Sequence, residues 1–237
     1  MLTCTPTHEQ IADVIRQVRR FRRYVRERRI FFPEPEPRQA ARFLVTEAAE
    51  ALDALTRQGK TVFNRASDDP ERAQLLNELL DTAFMAASVL RDADMRPVDI
   101  LQAIGRAIPW LCSTPEYLAQ KYQVASDDAR DVALSRTMAQ LTATTADLYR
   151  RLELARDIDG VGRPAEPRLT GDMRQLALGA IALAYRAAAI DAGKTTADRP
   201  RLSTWFNDAL DQRLEWRMNQ LTAKQATRLK PASCVVA

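Results

Sequence analysis

A single histidine, three cysteines and seven glycines among 237 residues close off several chemistries before any pattern is read. His8 cannot furnish the two histidines of a ferritin-like di-iron centre, which takes Glu-x-x-His from its helices. Cys4, Cys112 and Cys234 are odd in number, far apart and in no C-x-x-C pair, so neither a disulfide framework nor a zinc ribbon is expected, and reduced thiols in a cytoplasmic setting are. Scarce glycine argues against a turn-rich β sandwich or barrel. The phosphate-loop pattern G-x-x-x-x-G-K-[ST] is absent, and the one G-x-G, Gly160 to Gly162, sits in a proline-containing loop. The longest apolar run, "LALGAIALAY", is too short to span a bilayer and meets Arg186 at once. The opening "MLTCTPTHEQ" has no basic and apolar leader pattern, and the closing "CVVA" matches a prenylation box only formally.

What is abundant is Ala, Leu and Arg, with 46% hydrophobic and 28% charged residues, a balance that favours an all-α fold. The net charge of +4 is unevenly spread. Residues 1–32 carry 8 Arg against 3 acids, residues 33–129 carry 10 bases against 16 acids, and residues 130–237 carry 17 bases against 12 acids. An acidic block at the centre of a basic chain fits a nucleic-acid binder poorly, and the Arg-rich "RQVRRFRRYVRERR" reads first as a solvated helix face, then as a collector of anionic nucleotides.

Periodicity and punctuation divide the chain. Thr7-x-x-Gln10 opens a helix to about Arg29, which "FFPEPEP" stops. Helices follow over about Arg38–Arg57, about Glu71–Arg91, and from Pro97 to before Pro109, with a short one opened by Ser113-x-x-Glu116. These make an antiparallel bundle over 1–125. After "ASDDARD", helices at about Asp131–Arg156, over "DMRQLALGAIALAYRAAAIDAG" and from Ser203 form a second half, 126–237, whose element order echoes the first. Setting "LRDADM" against "AIDAGK" puts Ala177 opposite Glu78 and Ala180 opposite Asp81, as a degenerate repeat would.

The acids of the first half carry the chemistry. Thr46, Glu47, Glu50 and Asp53 share one helical stripe, and Asn77, Glu78, Asp81 and Thr82 share another. Two polar faces turned to water would explain one such stripe. Such faces usually mix signs, however, because Glu–Lys pairs at i,i+4 stabilise by roughly 0.2–0.5 kcal/mol and like charges cost as much. No Lys or Arg stands three or four residues from Glu47, Glu50, Glu78 or Asp81. Carboxylate pairs at i,i+3 on both helices, packed face to face, repel unless a cation lies between them. Oxygen ligands without His or Cys point to Mg²⁺, with Mn²⁺ the alternative.

Glu47-x-x-Glu50, 27 residues, then Glu78-x-x-Asp81, inside "LVTEAAEALDAL" and "NELLDTAFMAASVL", resembles the signature of the MazG-type all-α nucleoside triphosphate pyrophosphohydrolases over about residues 7 to 122. That resemblance implies a Mg²⁺-dependent cleavage of a nucleoside triphosphate to its monophosphate and pyrophosphate. It implies metal ligation by Glu47, Glu50, Glu78 and Asp81, with Glu47 or Glu50 also orienting the attacking water. It further implies assembly as a homo-oligomer, for which residues 131–230 would stand in as an internal pseudo-dimer. Thr46 stands where many relatives have another Glu, and Lys60, Arg65, Arg91 and Arg106 are the candidate phosphate-binding bases. Trp110, Tyr117 and Tyr122 are candidate base-stacking rings, for which core packing is the alternative. Two other readings stay open: a non-catalytic helical interaction protein that keeps the acids, and a phosphoribosyl-ATP pyrophosphohydrolase, against which stands Met85 where that pattern has His.

Overall fold

The structure is a computed structural model that describes residues 36–57, 70–90, 120, 122–125, 128–155, 169–194 and 202–229. Among the described residues it is all-helical and contains five helices: α1 (Pro37–Arg57), α2 (Pro70–Val89), α3 (Ala129–Leu154), α4 (Gly171–Asp191) and α5 (Leu202–Leu229). The expected helices before Pro33 and from Pro97 to before Pro109 lie outside the described residues, as does the one opened by Ser113 except at residues 120 and 122, and so do His8, the three cysteines, Trp110 and Tyr117.

Each helix has a local reason. Pro37 and Pro70 take the first position, where a missing N–H costs nothing and a fixed φ helps. Thr170 caps α4 by accepting from the Met173 N–H, at 3.4 Å. Gly193, at φ +63°, closes that helix, its N–H reaching the Ile190 carbonyl at 3.0 Å while the Lys194 N–H reaches Ala189 at 2.9 Å. A left-handed residue is required there, and glycine adopts it without steric penalty.

Packing follows from side-chain size. The buried stripe of α1 is almost entirely alanine, Ala40, Ala41, Ala48, Ala51 and Ala54 around Leu44, which lets α2 approach closely. On α3 the buried positions Leu134, Met138, Leu141, Thr145, Leu148 and Leu152 recur at steps of three and four, the single stripe of a helix with one wet face. α2 and α4 differ: residues 79–90 are buried except for Ala87, and residues 177–191 except for Gly179 and Leu183. These two are the inner helices. α1 packs on α2, α2 on α4, α4 on α3 and α3 on α1, closing a four-helix ring around one continuous core that joins the two sequence halves. Three buried hydroxyls inside it donate along their own helix, Thr82 to the Glu78 carbonyl (2.7 Å), Ser88 to Phe84 (3.0 Å) and Thr137 to Ala133 (2.7 Å). Arg42 donates to Glu153 at 3.0 Å, with Arg38 at 3.9 Å from the same carboxylate, pinning α1 to α3. α5 lies outside the ring and touches it at α2, burying Leu214. No helix among the described residues is long and apolar enough to cross a membrane.

Candidate metal centre

The polar stripe of α2 is not a solvated face. Asp81 is 1% exposed and Thr82 fully buried, with Asn77 and Glu78 half-buried, because α2 is covered by α1 and α4 and by the added α5. The stripe of α1 is wetter, with Glu47 half-buried and Thr46, Glu50 and Asp53 exposed. Thr46 donates back to the Arg42 carbonyl at 3.2 Å, so its hydroxyl is engaged along its own helix.

Packing of α1 on α2 brings Glu47, Glu50 and Glu78 together: one carboxylate oxygen of each lies within 4.8 Å of the other two. That spacing suits a single hard cation between three oxygens. Asp81, the fourth acid of the pattern, stands outside that trio and is held differently. Its Oδ2 accepts from Arg213 Nε (3.1 Å) and Nη2 (2.6 Å) and from Arg217 Nη2. Arg217 Nη2 also reaches Glu47 Oε1 at 3.5 Å, linking the trio to Asp81. The cationic neighbour missing along α1 and α2 is therefore supplied in part from α5, 132 and 136 residues from Asp81 and 170 from Glu47.

Among the described residues four carboxylates face two guanidiniums at this centre. Glu47 Oε2 and Asp81 Oδ1 are buried and accept no hydrogen bond among the described residues. An ionised carboxylate oxygen left so is costly to keep, and a cation or a bound water would relieve it. Burial first, then the Asp81 charge, push the Glu47 carboxyl up to about 7, with Arg217 opposing and Glu50 and Glu78 adding to the rise. Burial, then Asp81 and Glu50, raise Glu78 as well, while Arg213 and Arg217 oppose. Both rises come first from burial and then from repulsion among the carboxylates. The three carboxylates could hold a metal ion, and an all-oxygen donor set offers nothing to a soft one.

Lys60, Arg65, Arg91 and Arg106, the bases expected at a phosphate, lie outside the described residues. Arg213 and Arg217 were missed by sequence reasoning. Their i,i+4 spacing in "DQRLEWRMNQ" puts both on one face of α5, yet nothing local ties that face to acids on α2. Beside them Arg213 lies over the Trp216 ring, its Cζ 4.4 Å from the centroid. Tyr122 packs against the core and carries Arg136 over its ring at 4.4 Å, so that face is occupied. Ala177 and Ala180, set opposite Glu78 and Asp81 in the repeat alignment, are fully buried in α4, which has core packing at those positions.

No protein-family model matches the chain, and neither a curated protein nor a solved structure matches it.

Proposed function

We propose that the chain is a divalent-cation-dependent nucleoside triphosphate pyrophosphohydrolase whose cation is held by Glu47, Glu50 and Glu78, with Mg²⁺ the favoured ion. The observation that carries this is the convergence of those three carboxylates, from two helices, within 4.8 Å. When bound, the cation would supply charge neutralisation for the phosphate oxygens and lower the barrier to attack by water. The chain's own residues do the rest. The Glu47 and Glu50 carboxylates face the same centre, and one of them accepts the proton of the attacking water. The water oxygen bonds to the α-phosphorus, the bond from that phosphorus to its bridging oxygen breaks, and pyrophosphate departs with that electron pair. Among the described residues Arg213 and Arg217 are the bases at the acids; both already donate to carboxylates there, so a phosphate oxygen would have to share those donors.

The shared core of α1–α2 with α3–α4 supports a reading of residues 126–237 as a partner half within one chain, in place of a second protomer. A panel of ribo- and deoxyribonucleoside triphosphates with Mg²⁺, scored for pyrophosphate against orthophosphate, tests the activity. Pyrophosphate with the matching monophosphate supports it, and orthophosphate alone rejects the bond assignment.

A second reading has one observation of its own. Arg213 and Arg217 already neutralise Asp81, as in a structural ion cluster that docks α5 in a non-catalytic helical interaction protein. Mg²⁺ binding without turnover of any nucleotide in the panel would favour it.

A further inference from the structure

We propose that the groove between α2 and α5 binds the base of a nucleotide whose phosphates face the acids. This rests on the nucleotide reading above and adds where specificity resides. The groove is a cavity of about 370 Å³, within the range of ~300–1,000 Å³ common to small-molecule sites. Leu76 and Leu80 of α2 form an apolar wall, and Trp216 of α5, 51% exposed, presents a large ring to it. A nucleobase has two apolar faces and a polar rim, so it needs a ring or aliphatic surface to lie on and carboxamides or backbone groups at its edge. Asn77 and Gln212, one from each helix, supply those carboxamides, each with a donor and an acceptor.

Position relative to the acids gives the orientation. Asn77 is one turn before Asp81 and adjacent to Glu78, and Leu80 is adjacent to Asp81, so the groove runs along the flank of the acidic stripe. Arg213 belongs to both regions: it lines the groove, lies over Trp216 at 4.4 Å and donates to Asp81 at 2.6 Å. It covers one face of the indole, so a base would stack on the other. A ligand with an aromatic head and an anionic tail fits this order of apolar wall, carboxamides, guanidinium and acids, the last being reached through a divalent cation.

The test uses the full chain with Mg²⁺ and titrates it calorimetrically with α,β-methylene analogues of the common ribo- and deoxyribonucleoside triphosphates. Tripolyphosphate, which has no base, serves as the comparison. Binding of at least one nucleotide analogue should weaken by about fivefold or more in Trp216→Leu, as loss of one stacking ring implies, and recover in Trp216→Phe. Tripolyphosphate binding should be the same in all three proteins. Gln212→Ala, at an exposed position that does not threaten folding, should alter the ranking of bases. No binding of any analogue, or equal affinity in wild type and Trp216→Leu, overturns the groove. Failure of the two proposals is distinguishable. Pyrophosphate release with unchanged KM in Trp216→Leu removes the groove and keeps the reaction, whereas Trp216-dependent binding without pyrophosphate release keeps the groove and removes the reaction.

Discussion

Asp81→Asn and Glu50→Gln each delete one charge from the same acidic pattern, and the structure requires them to act on stability in different ways. Asp81 is 1% exposed and its Oδ2 takes three N–H contacts from two guanidiniums. Removing one partner of a fully buried ion pair costs ~3–5 kcal/mol. Arg213 and Arg217 are 12% and 28% exposed and retain Glu47 and solvent as neighbours, which reduces the loss to ~1–3 kcal/mol. For a chain of this size each kcal/mol shifts the midpoint by ~2–4 °C, so Asp81→Asn should melt several degrees lower. Glu50 is exposed and faces Glu47 and Glu78, so Glu50→Gln relieves repulsion and should be neutral or stabilising by up to ~0.5 kcal/mol. The assay is urea unfolding in chelator, so that no cation obscures the comparison, with a double-mutant cycle adding Arg213→Met. A coupling between positions 81 and 213 of ~1 kcal/mol or more is expected. Equal effects of Asp81→Asn and Glu50→Gln, or a coupling near zero, would refute the assignment of Asp81 as the anchor of α5.

Three further outcomes follow from the same geometry. The folded Glu47 carboxyl keeps its proton to about pH 7 against an ordinary value of 4.5, so the folded state binds more protons across that window and metal-free stability falls as pH rises through it. Screening at its rim holds the fall to ~1–2 kcal/mol, and Glu47→Gln should flatten the curve of stability against pH. Under the proposed function a bound Mg²⁺ would have to displace that proton, so calorimetry should show affinity weakening below about pH 7, by at most ~10-fold per pH unit, with proton release dependent on Glu47. Truncation after Gln123 removes α3, α4 and α5 and uncovers the α4-facing side of α2; light scattering should report aggregation or new dimers with loss of any activity, and a monomeric, fully active fragment would contradict the shared core.

The described helices were legible along the chain: the expected starts at about Arg38, Glu71, Asp131 and Ser203 fall within two residues of those observed, because a helix depends mainly on neighbours within one or two turns. So was the acidic stripe, since i,i+3 spacing fixes which side chains share a face whatever the surroundings. What the stripe meets was not legible. Glu47, Glu50 and Glu78 converge where the alanine face of α1 packs on α2, and residues 79–90 are buried except for Ala87 because α1, α4 and α5 all use α2 as a surface. Arg213 and Arg217 reach Asp81 across 132 and 136 residues, a pairing decided by where α5 docks. Local periodicity can say that α5 has two arginines on one face; only tertiary packing determines that this face lies on a buried aspartate, because the energy of a charge pair depends on distance and dielectric, and neither is a property of sequence spacing.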